Sequence, residues 1–117
     1  MGVVSAAPRR DEVWLVALDP ASRAEIQKTR PCVVVSPNQM NIHLRTVIVA
    51  PMTRTERPYP TRVALTFQGK RGQVALDQIR VVDRQRLLRN LGRISTSVAG
   101  KISATLTEMF AYTDSSR

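Results

Sequence analysis

Apolar residues fall in short alternating or β-branched runs along most of this chain, and recur at helical spacing mainly near its end. EVWLVALDP, residues 12–20, reads as a first strand that Asp19 and Pro20 stop. A polar connection, ASRAEIQKT, leads to a second strand, PCVVVS, bounded by Pro31 and Pro37. NQMNIHL, residues 38–44, is a link with room for one helical turn. RTVIVAPMT, residues 45–53, is a third strand, and its regular pairing should stop or bulge at Pro51, which has no N–H to give a ladder. The loop RTERPYP follows, with two prolines and two arginines. TRVALTFQ, residues 61–68, sets Val63, Leu65 and Phe67 on one face and Arg62, Ala64 and Thr66 on the other. GKRG, residues 69–72, reads as a turn, and QVALDQIRVV, residues 73–82, as a fifth strand interrupted at Asp77 and Gln78.

DRQRLLRN suits about two helical turns with Asp83 as N-cap, and LGRIS, residues 91–95, a short returning strand. Val98, Ile102, Leu106 and Met109 then mark a terminal helix, capped by Ser95 or Thr96. Gly100 weakens that helix by ~1 kcal/mol relative to alanine. Many short strands and one amphipathic terminal helix predict a mainly β fold with helices, a small bent antiparallel sheet or barrel. The expected layout is a loose arm over residues 1–10, one domain over 11–112 and a tail over 113–117.

Composition narrows the chemistry. The chain has 117 residues, the size of one domain, and at 43% hydrophobic and 4% aromatic its core should be modest and aliphatic. Its single cysteine, Cys32, makes neither an internal disulfide nor a zinc site, and its valine neighbours predict a buried, inert thiol. The N-terminal residues lack the apolar run of a signal peptide, and no stretch approaches the ~20 apolar residues of a membrane span. The expectation is a soluble, cytoplasmic protein with no membrane partner. A net charge of +9, from 18 Lys and Arg against 9 Asp and Glu, attracts polyanions: a nucleic acid or an acidic protein. A merely solubilising basic surface is the plainer account.

Four segments in order, EVWLVALDP, EIQKTRPCVVVSP, RTVIVAPMT and GQVALDQIRVVD, resemble the MazF/PemK family of toxin endoribonucleases. The resemblance runs from about Arg10 to Phe110. It implies an SH3-like small barrel with a C-terminal helix, assembled as a homodimer. It implies cleavage of single-stranded RNA at short sequences with no metal or other cofactor, and an acidic MazE-like antitoxin that wraps the dimer. By the same resemblance Arg30 of KTRP and Thr53 of APMT are the catalytic pair. RNA contacts map onto Glu25, Lys28, Asp77 and Gln78, while Arg54, Arg57 and Arg80 supply phosphate affinity or simply solubility. Two departures stand out: Asp11 where the family often has glycine, and Arg23 and Ala24 in a loop that usually carries one. Two alternatives remain. One is a non-enzymatic toxin similar to the gyrase-poisoning CcdB family, although AYTDSSR ends without that family's terminal aromatic residue. The other is a basic nucleic-acid-binding module.

The residues suit the implied chemistry. Proline disfavours the α region for the residue before it, so Pro31 keeps Arg30 extended. A guanidinium stays charged and offers a fork to two phosphate oxygens. When a ribose 2′-OH attacks its own 3′-phosphate, such a cation stabilises the growing negative charge. A surface ion pair is the ordinary use of an arginine. Thr53 can donate or accept through its hydroxyl, or cap a turn. Glu25, Asp77 and Gln78 suit the edges of splayed bases, though Glu25 also fits a solvated surface and Asp77–Gln78 a bulge. His43 stands alone, without the second histidine of an acid–base pair. Tyr59 fits either a base stack or a stiffened loop, and Trp14 a core.

Overall fold

The three valines that follow Cys32 are all buried, and alternation sends them to both faces of one sheet. In the computed structural model, which describes residues 6–18, 25, 26 and 28–113, they belong to the second strand or its end. The strands are β1 (Glu12–Leu18), β2 (Lys28–Val34), β3 (Thr46–Thr53), β4 (Arg62–Phe67), β5 (Lys70–Ala75), β6 (Arg80–Asp83) and β7 (Leu87–Arg93). Among the described residues two α-helices accompany them, α1 (Asn38–His43) and α2 (Thr96–Phe110). Pairing is antiparallel in the order β4-β5-β3-β2-β1-β7, with β6 also on β3. The result is the mainly β, curled small-barrel fold with a C-terminal helix that the sequence predicts. No described helix is long and apolar enough to cross a membrane.

Val33, Val35, Ala50, Val63, Leu65 and Val74 form one core, closed by Ile102 of α2. The helical stripe packs there, with Val98, Leu106 and Met109 around Ile102, and Ser95 caps the helix by accepting the Val98 N–H. Cys32, Val34, Val47, Val49 and Val82 build a second core on the opposite face, against which Trp14 packs. Asn41 is fully buried and fully engaged. It accepts from the Ser36 hydroxyl at 2.6 Å and donates to the Ser36 and Pro8 carbonyls at 3.0 Å. Together with the Arg10 N–H, which donates to Asn38 at 2.7 Å, this ties residues 8–10 to α1. Residues 1–5, Asp19, Pro20, Arg23 and Ala24 lie outside the described residues.

Three local expectations are corrected. The β4–β5 hairpin turns at Gln68 and Gly69, with φ of 51° and 76°, and Lys70–Gly72 already belong to β5. Two consecutive positive φ values mark a two-residue primed turn, a place where glutamine gives little signal. The fifth strand is really two, split by a 3-10 turn over Leu76–Gln78 at the expected polar interruption. The helix expected over residues 83–90 is a single 3-10 turn, Arg84–Arg86. Asp83 does cap it, accepting the Gln85 N–H at 2.8 Å, but residues 87–93 then pair with β1, whose ladder outweighs their helical preference.

Asp11, which stands where the resembling family often has glycine, adopts φ 75°. Its N–H donates to the Val34 carbonyl at 2.9 Å, and its own carbonyl accepts from Ile94 at 3.1 Å. Aspartate is among the few L-residues that enter this region readily, so the backbone keeps the conformation that glycine would favour.

Candidate active site

Two prolines mark where β2 and β3 part. The strands are in register at Val34↔Val49, Val33↔Ala50 and Cys32↔Pro51, and the register ends there. Pro51 has no N–H for the ladder, and neither has Pro31, the next residue on β2. From that point β2 follows β1, through Leu15↔Pro31, Val16↔Arg30 and Ala17↔Thr29. On its other edge β3 exchanges one neighbour for another. Thr46–Val49 pair with β6, and Met52 and Thr53 pair with Val74 and Gln73 of β5. The expected interruption at Pro51 is this gap between partners.

A cleft of about 450 Å³ lies where the strands diverge. Carrying the β2–β3 register two residues past Cys32↔Pro51 sets Arg30 opposite Thr53, and both line the cleft. Its apolar lining is Met52, Leu65, Phe67 and Leu91, at the margin of the first core. Around these stand the cations of Arg30, Arg54, Lys70 and Arg71 and the hydroxyls of Thr29 and Thr55. Such a combination can take a flat apolar group together with anionic oxygens.

Alternation puts Arg30 on the face of Cys32 and Val34, and Thr53 on that of Val47 and Val49, so both belong to the side of the second core. Arg80, opposite Val49, shares that face. Burial pushes the Cys32 thiol up to about 12, although the positive charges of Arg80 and Arg30 pull it down. A thiol so held is no nucleophile at neutral pH, as its valine neighbours predict.

Thr53 is held by its own turn. Its Oγ1 accepts the Thr55 N–H at 3.1 Å, which leaves the hydroxyl proton to be donated. The turn cap therefore leaves this hydroxyl able to donate. Gly72 allows the approach from the other side, because a Cβ there would lie 2.6 Å from the Thr53 carbonyl oxygen.

The structure brings Arg30, Thr53 and Arg54 together and distributes the other expected contacts. Lys28 is exposed at the start of β2 in a positive-φ conformation of 70°. Glu25 lies 4.0 Å from Arg80, and the neighbouring Ile26 peptide is held on both sides. Its N–H donates to Gln78 at 2.7 Å, and its carbonyl accepts from Arg80 at 2.8 Å. Asp77 accepts from Arg62 Nε at 2.7 Å and Nη2 at 3.2 Å, and from the Thr61 hydroxyl at 3.1 Å. The Arg62 hydrogen bond holds its carboxyl below the usual carboxylate range, against the effect of burial. Arg62 is nearly buried and lies 5.2 Å from the centre of the Tyr59 ring, so that ring is engaged within the fold. Arg57 lies on the loop after Thr53, with its backbone bonded to the Gln73 side chain. Lys70, Arg71 and Gly72 are the residues sequence reasoning missed at the cleft. An earlier hairpin turn would have put them on a strand beside Thr53. Among the described residues, no group of three His, Cys, Asp or Glu side chains is placed to hold a metal ion.

Comparison with known proteins agrees with the order of motifs. The chain is 37% identical over 108 residues to the endoribonuclease PemK of Escherichia coli, covering 84% of this chain and 81% of the relative. It is 34% identical over 108 residues to the endoribonuclease MazF9 of Mycobacterium tuberculosis, covering 84% and 92%. A mycobacterial endoribonuclease solved in complex with its cognate antitoxin superposes with a TM-score of 0.76 at 26% identity, covering 92% of this chain and 100% of that one. Residues 9–110 match the family model of the PemK-like, MazF-like toxins. With the fold, the ordered motifs and this match in agreement, the chain belongs to the PemK-like, MazF-like toxins of type II toxin–antitoxin systems.

Proposed function

We propose that this chain is an endoribonuclease toxin that cleaves single-stranded RNA by attack of a ribose 2′-OH on its own 3′-phosphate. The products are a 2′,3′-cyclic phosphate and a 5′-OH end. The observation that carries the reading is that Arg30 and Thr53 line one apolar, cation-ringed cleft at the point where two prolines part β2 from β3. Arg30 stabilises the charge that grows on the phosphorane. Thr53 donates to a phosphate oxygen or passes a proton. Because RNA supplies its own nucleophile, the step needs neither the Cys32 thiol nor a metal-activated water.

Arg54, Lys70, Arg71 and Lys28 hold flanking phosphates, and Glu25 reads a base edge. We assign Gln78 and Arg80 to bracing the Ile26 peptide beside the site, and Asp77 to holding Arg62. Two protomers form the active unit, and the exposed Ile42, Leu44, Val81, Leu88 and Phe110 are apolar surface that a second copy would cover. The neutralising partner is an antitoxin with an acidic, extended segment lying over Lys28, Arg30, Thr53 and the 54–60 loop. There it competes with RNA for the same cations of a chain of net charge +9. Family membership favours this reading over gyrase poisoning, and the cytoplasm is where its RNA substrates lie.

The test uses a short RNA and the same strand with one deoxyribose 5′ of the cut, both in EDTA. Cleavage of the all-RNA strand alone, with both strands bound equally, is expected. Cutting at the deoxyribose would show that water or a side chain is the nucleophile.

A further inference from the structure

The loop after Thr53 is fastened at both ends to one residue. At its start, Thr53 is the ladder partner of Gln73. At Arg57 the Gln73 side chain makes both bonds an amide can make to a backbone. Its Oε1 accepts the Arg57 N–H at 3.0 Å, and its Nε2 donates to the Arg57 carbonyl at 3.1 Å. A side-chain amide that takes both the N–H and the C=O of one residue acts as a further rung beyond the end of β3. Between these points the Thr55 N–H folds back onto Thr53, and Glu56 lies 3.5 Å from Arg71 of β5. That exposed ion pair contributes little, so the amide clasp is the main tie on the far end of the segment. Within the segment stand the cations of Arg54 and Arg57, both exposed.

We propose that Gln73 is a positioning residue that holds the 54–57 loop in the shape in which Arg54 and Arg57 meet RNA phosphates flanking the cut. The proposal rests on the endoribonuclease reading. A loop with two arginines, left free, must be ordered when RNA binds, and that ordering is subtracted from the affinity. The clasp makes that order part of the folded protein. Because the β3–β5 backbone ladder holds Thr53 independently of the Gln73 side chain, losing the clasp acts on binding much more than on the chemical step.

Gln73→Met keeps the length of the side chain and removes both bonds. Three readouts are expected to move together: loss of exchange protection at the Arg57 amide, a roughly three- to tenfold rise in KM with kcat within about twofold, and a shallower salt dependence of RNA binding. The last should fall by about 0.7 in log–log slope for each phosphate that the loop no longer neutralises. Arg57→Gln should weaken binding in the wild type and add little in the Gln73→Met background, since neighbours that act together are not additive. Gln73→Ala repeats the measurements if the methionine variant fails to fold. An Arg57 amide that stays protected, or an unchanged KM and salt slope, overturns the proposal. Salt slopes are measured on the strand with one deoxyribose, which binds without being cut. The clasp is therefore tested even if wild-type protein cleaves nothing, an outcome that would refute the endoribonuclease reading by itself.

Discussion

The β2–β3 pair behaves as two different objects along its length. From Cys32 to Val34, opposite Val49 to Pro51, it is zipped, and every one of those residues is buried. At Pro31 and Arg30, which the same register would set against Met52 and Thr53, the strands have separated, and the residues are exposed or half-buried. A cation in the zipped half would be desolvated without a phosphate to pair with. In the open half the strand stays paired with β1 while its residues are exposed, so Arg30 is anchored by a core strand and still accessible. The change falls at two residues that cannot donate to a ladder. Pro31, directly after Arg30, thus does two things: it keeps the arginine extended and, with Pro51, it ends the pairing that would have covered Thr53.

The sharpest way to break this comparison is to remove the cation of the open half. Arg30→Ala should lower the cleavage rate on the order of 10²–10³-fold, as loss of one transition-state stabiliser does. Thermal unfolding should hardly change, because the side chain is exposed. Arg30→Lys should recover little, since an ammonium lacks the fork. Near-normal cleavage by folded Arg30→Ala protein would remove Arg30 from the mechanism.

Asp77→Ala should do the opposite, costing stability and sparing chemistry. It removes three hydrogen bonds, two of them from Arg62, and because the carboxylate is exposed their loss should cost about 1 kcal/mol. The carboxyl titrates lower in the folded state than in the unfolded one. Its stabilising contribution is therefore present above the ordinary carboxylate value of about 3.9 and lost as pH falls through the depressed folded value. Denaturation of wild type and variant should differ most at neutral pH and converge in strong acid. A large loss of RNA affinity at unchanged stability would return Asp77 to base reading.

Gly72→Ala probes the wall of the open half without touching its charges. The added methyl would meet the Thr53 carbonyl at 2.6 Å, inside any normal contact, so β3 or β5 must shift. Overpacking of this kind costs about 1–3 kcal/mol. Here the displaced atom belongs to Thr53, so the rate should fall beyond the loss of stability. Equal rates per folded molecule would show that the hydroxyl tolerates the shift.

These effects also mark what was legible in the sequence. Strand centres such as residues 33–35, 47–50 and 63–67 announce themselves by β-branching and alternation, and the spacing of Val98, Ile102, Leu106 and Met109 by helical period. β7 does not, because LLRNLGR has no alternation and exists as a strand through its pairing with β1. Arg30 and Thr53 stand in motifs, and Pro51 carries its own physical signal. The places of Lys70, Arg71 and Gly72 beside the cleft are hidden by the misplaced turn. The Gln73 clasp joins residues 16 apart in the chain through a side-chain amide, which no periodicity encodes.

The smallest expected effect lies at the zipped end. Asp11 bonds to Val34 while holding φ 75°, a conformation that costs an ordinary L-residue roughly 1–2 kcal/mol and aspartate less. Asp11→Gly relieves that strain, but glycine also widens the unfolded ensemble, by roughly 0.5–1 kcal/mol. The two terms nearly cancel, so the melting temperature should move by no more than a few degrees. Asp11→Val, which tolerates positive φ poorly, should be clearly destabilising. Cleavage per folded molecule should be unchanged in both variants, because the residue is coupled to the half of β2 that carries no chemistry. If Asp11→Gly altered the choice of cut site while leaving stability alone, the two halves of the strand pair would be mechanically linked, and the division drawn between them would fail.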